Sequence, residues 1–160
     1  MCLPPSLNTD IIMVATGTGV APFRSFCHRL FNENTVARHM YGGKALLYLG
    51  VPVTGGLLYK QEFDAMEASS GGKLTAQYAI SREMINKSGG KMYVQDLVEQ
   101  DGERLYSMIE SGAVIYFCGL KGMLPGVMDA FERICEGKGV DFSKKMKEWK
   151  KAGRWHVEVY

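Results

Sequence analysis

Apolar and polar residues along the chain switch repeatedly between a strand period and a helix period. Asp10 to Ala15 is a β-branched, apolar run that stops at Thr16-Gly17-Thr18-Gly19. It is too short for a helix and bounded by turn residues, so it predicts a buried strand. From Pro22 the apolar positions become Phe23, Phe26, Cys27, Leu30 and Phe31, the stripe of an amphipathic helix with proline tolerated at its start. The alternation then repeats. Strands are expected near Lys44 to Leu49, at Leu74 to Ile80 and at Ala113 to Cys118. Helices are expected near Leu58 to Ala68, from about Gln95 to Glu110, and along Leu124, Val127, Met128, Phe131 and Cys135. A second short helix near Ser143 to Lys151 precedes a last strand, Trp155 to Tyr160.

Strand runs that are apolar on both faces and alternate with helices predict an α/β fold. The expected architecture is a doubly wound, five-stranded parallel sheet with helices on both faces. The 160 residues suffice for one such domain. Ligands of these sheets bind beyond the carboxyl ends of the strands, so the residues just after Ala15, Leu49, Ile80 and Cys118 are where chemistry is to be sought. Ser81 to Gly90 reads as a long polar loop and a candidate binding loop.

Composition narrows the classes. With 46% hydrophobic and 22% charged residues the chain can fill a core, which argues against disorder. Its formal net charge of +2 is far from the basic balance that nucleic-acid backbones favour. The longest apolar runs fall well short of the roughly 18 residues needed to span a bilayer, so no membrane span is expected. Cys2, Cys27, Cys118 and Cys135 have neither zinc-ligand nor disulfide-framework spacing and are read as thiols. His28, His39 and His156 form no metal-ligand spacing either. The first residues, Met1 to Ser6, carry no secretory or transit pattern, which implies a cytosolic protein or one whose targeting residues were removed.

Four junctions carry candidate chemistry. Gly17-Thr18-Gly19-Val20-Ala21-Pro22 joins the first strand to the first helix and would let backbone N–H groups face a diphosphate. Any tight strand-to-helix turn can also use glycine. The second strand ends in Gly50-Val51-Pro52-Val53-Thr54, with no acid to hold the ribose hydroxyls of NAD. The third junction instead offers Ser81, Arg82, Lys91, Tyr93 and Gln95, a set suited to an adenine ribose bearing an extra phosphate, which favours NADP. A solvated polar loop in which Tyr93 simply packs is the alternative. At the fourth, Cys118 precedes Gly119 and Leu120 at the same sheet edge, with no neighbouring histidine to activate its thiol. The basic stretch Lys144 to Arg154 is either a solvated helix face or a docking surface for an acidic protein.

Taken together, several segments resemble the plant-type ferredoxin–NADP reductases along the whole chain. They are Gly17 to Phe26, Leu49-Gly50-Val51-Pro52, Leu57-Leu58-Tyr59-Lys60, Ser81-Arg82-Glu83, Lys91-Met92-Tyr93, Cys118 to Met123 and Val157-Glu158-Val159-Tyr160. The resemblance implies that residues 1–160 are a Rossmann-like NADP-binding domain, the family's FAD-binding barrel lying outside this chain. Tyr160 resembles the photosynthetic members, where related flavoproteins end in Trp or Phe.

The implied reaction is hydride transfer between FAD and NADP with electrons from ferredoxin, the domain alone being inactive. By position, Thr18, Gly19 and Pro22 would line the diphosphate and nicotinamide path, and Val51 and Pro52 would border the nucleotide. Ser81, Arg82, Lys91 and Tyr93 would hold the 2′-phosphate and adenine with Gln95 nearby, and Gly119 and Leu120 would touch the cofactor. Cys118 and Glu158 would position the nicotinamide, and Tyr160 would stack on the flavin. The family further implies a monomer in the plastid stroma or associated with the thylakoid, which meets ferredoxin mainly through the barrel. Ala15, where the family often has glycine, and Thr54-Gly55-Gly56, in place of a serine-rich loop, depart from the pattern, and the second is expected to loosen the pyrophosphate or the ribose side of the nucleotide. A non-catalytic NADP(H)-binding module is the alternative function.

Overall fold

The computed structural model describes residues 1–160. Five strands form one sheet: β1 (Ile11–Thr16), β2 (Ala45–Val51), β3 (Leu74–Ile80), β4 (Val114–Gly119) and β5 (Trp155–Val159). All neighbouring pairs are parallel and the order is β3-β2-β1-β4-β5. The chain steps outward from β1 to β3, returns past β1, and steps outward again through β4 to β5. Because crossovers between parallel strands are right-handed, reversing the direction of travel moves the connecting helices to the other face. This is the doubly wound sheet that the sequence predicts.

The helices divide accordingly. Between β1 and β3 lie α1 (Ala21–Phe31), α2 (Val36–Met40) and α3 (Lys60–Ser69). The remaining helices are α4 (Val94–Gln100), α5 (Gly102–Glu110), α6 (Met123–Gly137) and α7 (Phe142–Lys151). Strand residues alternate between two cores. Ile11, Met13, Ala15, Leu47, Leu49 and Tyr116 pack with Phe23, Phe26 and Phe63 of α1 and α3. Ile12, Val14, Leu46, Tyr48, Ile115 and Phe117 pack with Leu97, Leu105, Val127 and Phe131 of α4 to α6. The period-2 pleat sends successive residues of one strand to opposite cores, so the central strands read as unbroken apolar runs.

Four details differ from the sequence reading. The helix expected from Gln95 to Glu110 is two helices broken at Asp101, whose carboxylate accepts from the Tyr48 hydroxyl (2.6 Å) and Gln77 Nε2 (2.9 Å). Leaving the helical path at this residue satisfies two polar groups on the sheet face, one of them on a fully buried tyrosine. The edge strands are not apolar on both faces: β3 is mostly half-buried, and His156, Val157 and Glu158 of β5 are exposed. The five-residue α2, capped by Thr35, carried no periodic signal in so short a span. In α6 the buried stripe is Met123, Val127, Ala130, Phe131 and Cys135, with Leu124 and Met128 only partly covered.

One polar cluster ties α1 to α3. Arg24 forks onto Glu62 through Nε (2.5 Å) and Nη2 (2.8 Å), its guanidinium lies 4.5 Å from the Tyr59 ring centroid, and His28 Nε2 stands 3.3 Å from the same carboxylate. The hydrogen bond from Arg24, and secondarily that from His28, outweighs desolvation and holds the Glu62 carboxyl down at about 2. A carboxyl depressed in the folded state adds stability above its unfolded value near 4.5, and that stability is lost as pH falls through the folded value. Glu62→Gln is therefore expected to flatten the acid limb of the stability curve between about pH 4.5 and 2 while leaving the shape above pH 5 unchanged. Equilibrium unfolding at a series of pH values checks this.

Candidate functional site

A cleft of about 420 Å³ opens at the carboxyl ends of β1 to β4. It sits where the strand order reverses, between the departing helices. Its walls are Thr16, Gly17, Gly50, Val51, Pro52, Ala79, Ser81, Tyr93, Val94, Gln95, Leu120, Gly122 and Met123. None of these is charged. The sheet contributes Thr16 and Val51 as strand-terminal residues, and the starts of α4 and α6 close the opposite side.

Backbone contacts below the cleft are unusually close. A Cβ at Gly19 would overlap the Cys118 carbonyl and stand 2.6 Å from the Gly119 Cα. Gly119 adopts φ +148°, and a Cβ there would lie 3.0 Å from both Thr16 N and Thr16 O. The turns after β1 and β4 therefore pass each other with no room for a side chain, and Thr16 Oγ1 accepts from Leu120 N (3.3 Å) across the gap. Gly17 has a different reason to be glycine. Its φ of +54° lies in the left-handed region, while nothing stands within 4 Å of its missing Cβ.

The sequence candidates fall into two groups and three outliers. Val51, Pro52, Ser81, Tyr93, Gln95 and Leu120 line the cleft. Thr18, Gly19, Cys118, Gly119, Glu158 and Tyr160 gather at the ends of β1, β4 and β5. There the Thr18 and Tyr160 hydroxyls hydrogen-bond, Tyr160 N donates to Gly119 O (3.1 Å), and Tyr160 O accepts from Lys121 N (3.0 Å). Cys118 and Glu158 are register partners. Glu158 also pairs with the Met1 amine at 2.8 Å. Burial first, and the nearby Glu158 carboxylate second, push the Cys118 thiol up, so it stays protonated and is no ready nucleophile. Pro22 lies in the first turn of α1, outside the cleft wall. Arg82 and Lys91 stand on the exposed loop beside the cleft rather than in its wall, and neither enters an ion pair.

That loop is built, not slack. Asn86 Oδ1 accepts from Ser88 N and Gly90 N (both 3.0 Å), its Nδ2 donates to Lys91 O (3.2 Å), and Ile85 bridges Lys91. Asp96 accepts from Tyr93 N (2.7 Å), fixing the start of α4 and leaving the Tyr93 side chain 45% exposed at the cleft edge. The Thr54–Gly56 turn is a single turn of 3₁₀ helix tied to Glu83. Sequence reasoning gave no ligand role to Thr16, Gly50, Ala79, Val94, Gly122 or Met123, all of which line the cleft. Small or ordinary apolar side chains give no chemical signal of their own.

Residues 13–129 match the family described as oxidoreductase NAD-binding domain. The chain belongs to that family. It is 43% identical over 160 residues to a chloroplastic ferredoxin–NADP reductase of Chlamydomonas reinhardtii, covering all of this chain and 45% of that protein. It is 45% identical over 161 residues to root isozyme 2 of the chloroplastic ferredoxin–NADP reductase of Arabidopsis thaliana, again covering all of this chain, and 42% of the relative. The embryo isozyme of Oryza sativa subsp. japonica is 46% identical over 153 residues, which are 96% of this chain and 40% of the relative. The chain thus spans less than half the length of these relatives.

The glycine contacts generate a test of the candidate site. Gly19→Ala forces two backbone turns apart and is expected to cost about 1–3 kcal/mol of stability and to weaken nucleotide binding. Gly137→Ala, at the far end of α6 and with nothing within 4 Å of its added Cβ, serves as control and should leave both unchanged. Thermal unfolding with and without nucleotide distinguishes the two.

Proposed function

We propose that this chain is the NADP(H)-binding domain, residues 1–160, of a ferredoxin–NADP reductase. The observation that carries the reading is an uncharged cleft at the sheet's switch point flanked by two unpaired cations, Arg82 and Lys91, and an exposed aromatic ring, Tyr93. An NADP molecule presents three matching features: a diphosphate, an adenine, and a ribose phosphate that demands cations. Asp96 is bonded to Tyr93 N and Glu83 to Thr54, and neither carboxylate pairs with Arg82 or Lys91, so both cations stay available to the polyanion. The names of the relatives point the same way.

In this reading Ser81, Arg82 and Lys91 receive the 2′-phosphate and Tyr93 stacks on adenine with Gln95 beside it. Val51, Pro52 and Leu120 border the nucleotide, and the turns at Thr18, Gly19, Pro22 and Gly119 give the diphosphate and nicotinamide a close backbone approach. Cys118 and Glu158 position the nicotinamide ring. When bound, the nicotinamide and an FAD held mainly by another domain supply the hydride chemistry. This chain's own part is orientation. Tyr160, held over the β4–α6 turn by its backbone bonds and by Thr18, covers the place where the two rings would meet. Ferredoxin is then the electron donor and the plastid stroma the compartment, as the chloroplastic relatives suggest.

Arg82→Ala separates a phosphate pocket from a general nucleotide pocket. It is expected to lower affinity for 2′-phospho-AMP about tenfold or more, the loss of a charge-assisted pair, with little change for AMP. Calorimetric titration of the two ligands checks this, and equal weakening of both would overturn the assignment.

A further inference from the structure

The loops after β2 and β3 are clasped by a single carboxylate. Glu83 accepts two hydrogen bonds from Thr54, one from the hydroxyl and one from the backbone N–H at 3.2 Å. These bonds, the hydroxyl's first, hold the Glu83 carboxyl below its usual range. Backbone bonds run alongside: Ser81 N donates to Val51 O and Arg82 N to Pro52 O, both at 2.9 Å. Glu83 directly follows Arg82 in an exposed turn, yet the two side chains are not paired. An exposed acid next to an exposed arginine ordinarily has only solvent to compete for it. Here Thr54 takes it.

We propose that Thr54 sets the phosphate selectivity of the cleft by holding the Glu83 carboxylate away from Arg82, which keeps the guanidinium free for a phosphate monoester on the nucleotide's ribose. This rests on the reading that Arg82 receives that phosphate. A carboxylate and a phosphate use the same forked donors, so a released Glu83 would occupy the guanidinium and also repel the incoming dianion. Thr54 and Glu83 are positioning residues. Neither lines the cleft. Opposite charges in solvent attract only weakly, so the effect is a modest competition rather than a loss of binding.

The test is calorimetric titration of the 160-residue chain with 2′-phospho-AMP and with AMP, for the parent, Thr54→Val, Thr54→Ser, Glu83→Gln, the double variant Thr54→Val with Glu83→Gln, and Arg82→Ala. Thr54→Val is expected to weaken 2′-phospho-AMP about two- to fivefold, the scale of one exposed ion pair, and to leave AMP unchanged. Glu83→Gln keeps a carbonyl oxygen for Thr54 and removes the charge, so it should bind 2′-phospho-AMP at least as well as the parent. The double variant should regain what Thr54→Val loses, and Thr54→Ser should behave as the parent. A loss that persists in the double variant, or falls equally on both ligands, overturns the proposal, because Thr54 would then only shape the loop. Phosphate preference that depends on Arg82 but not on Thr54 overturns the clasp alone. Preference indifferent to Arg82 overturns the phosphate pocket and the clasp with it.

Discussion

The architecture of the site hangs on the crossing of two backbone turns. β1 and β4 are adjacent parallel strands, and the chain leaves each at the same edge toward opposite faces of the sheet. The turns pass so closely at Gly19 and Gly119 that neither position tolerates a Cβ. That contact anchors the starts of α1 and α6 on either side of the switch point, and the cleft is the space that their divergence leaves open. Thr16, at the end of β1, bonds to Leu120 N and stitches the two turns together. An ordinary side chain at either glycine would separate the turns and alter the floor of the cleft.

A second constraint is electrostatic. A site for a polyanion needs cations that are not already neutralised, and on a surface with 19 basic and 17 acidic residues that is not automatic. Around the cleft the acids are occupied by hydrogen-bond donors rather than cations: Asp96 by Tyr93 N, Glu83 by Thr54. Away from it, cations and acids pair with each other, as in Arg24 with Glu62, Arg133 with Glu99 and Lys145 with Glu110. The same residue types thus stabilise helix packing in one place and leave free charge in another. The difference lies in which donor reaches each carboxylate first.

Much of the fold was legible because the central strands are buried on both faces and bounded by turn residues. β1, β2 and β4 show as apolar runs for the same reason that they lie in the middle of the sheet. The amphipathic stripes of α1 and α6 follow from packing one face on that sheet. The exposed middle of β5 and the break at Asp101 were not legible. The first depends on β5 having a neighbour on one side only, and the second on two partners, Tyr48 and Gln77, that are distant in sequence.

The candidate site divides in the same way. Residue types at strand ends pointed to Ser81, Tyr93, Gln95 and Leu120, and the structure brings all four to one cleft. Glycine at positions 17 and 19 could be read as a nucleotide turn, but only the tertiary structure shows that Gly17 is required by its φ and Gly19 by a neighbour about a hundred residues away. The sequence by itself determined the alternation of strands and helices, hence a doubly wound sheet, because local periodicity encodes burial. Whether Arg82 is free, whether Glu83 turns to Thr54, and which small residues wall the cleft were decided only by tertiary structure, because each depends on the distance between side chains that the chain order does not contain.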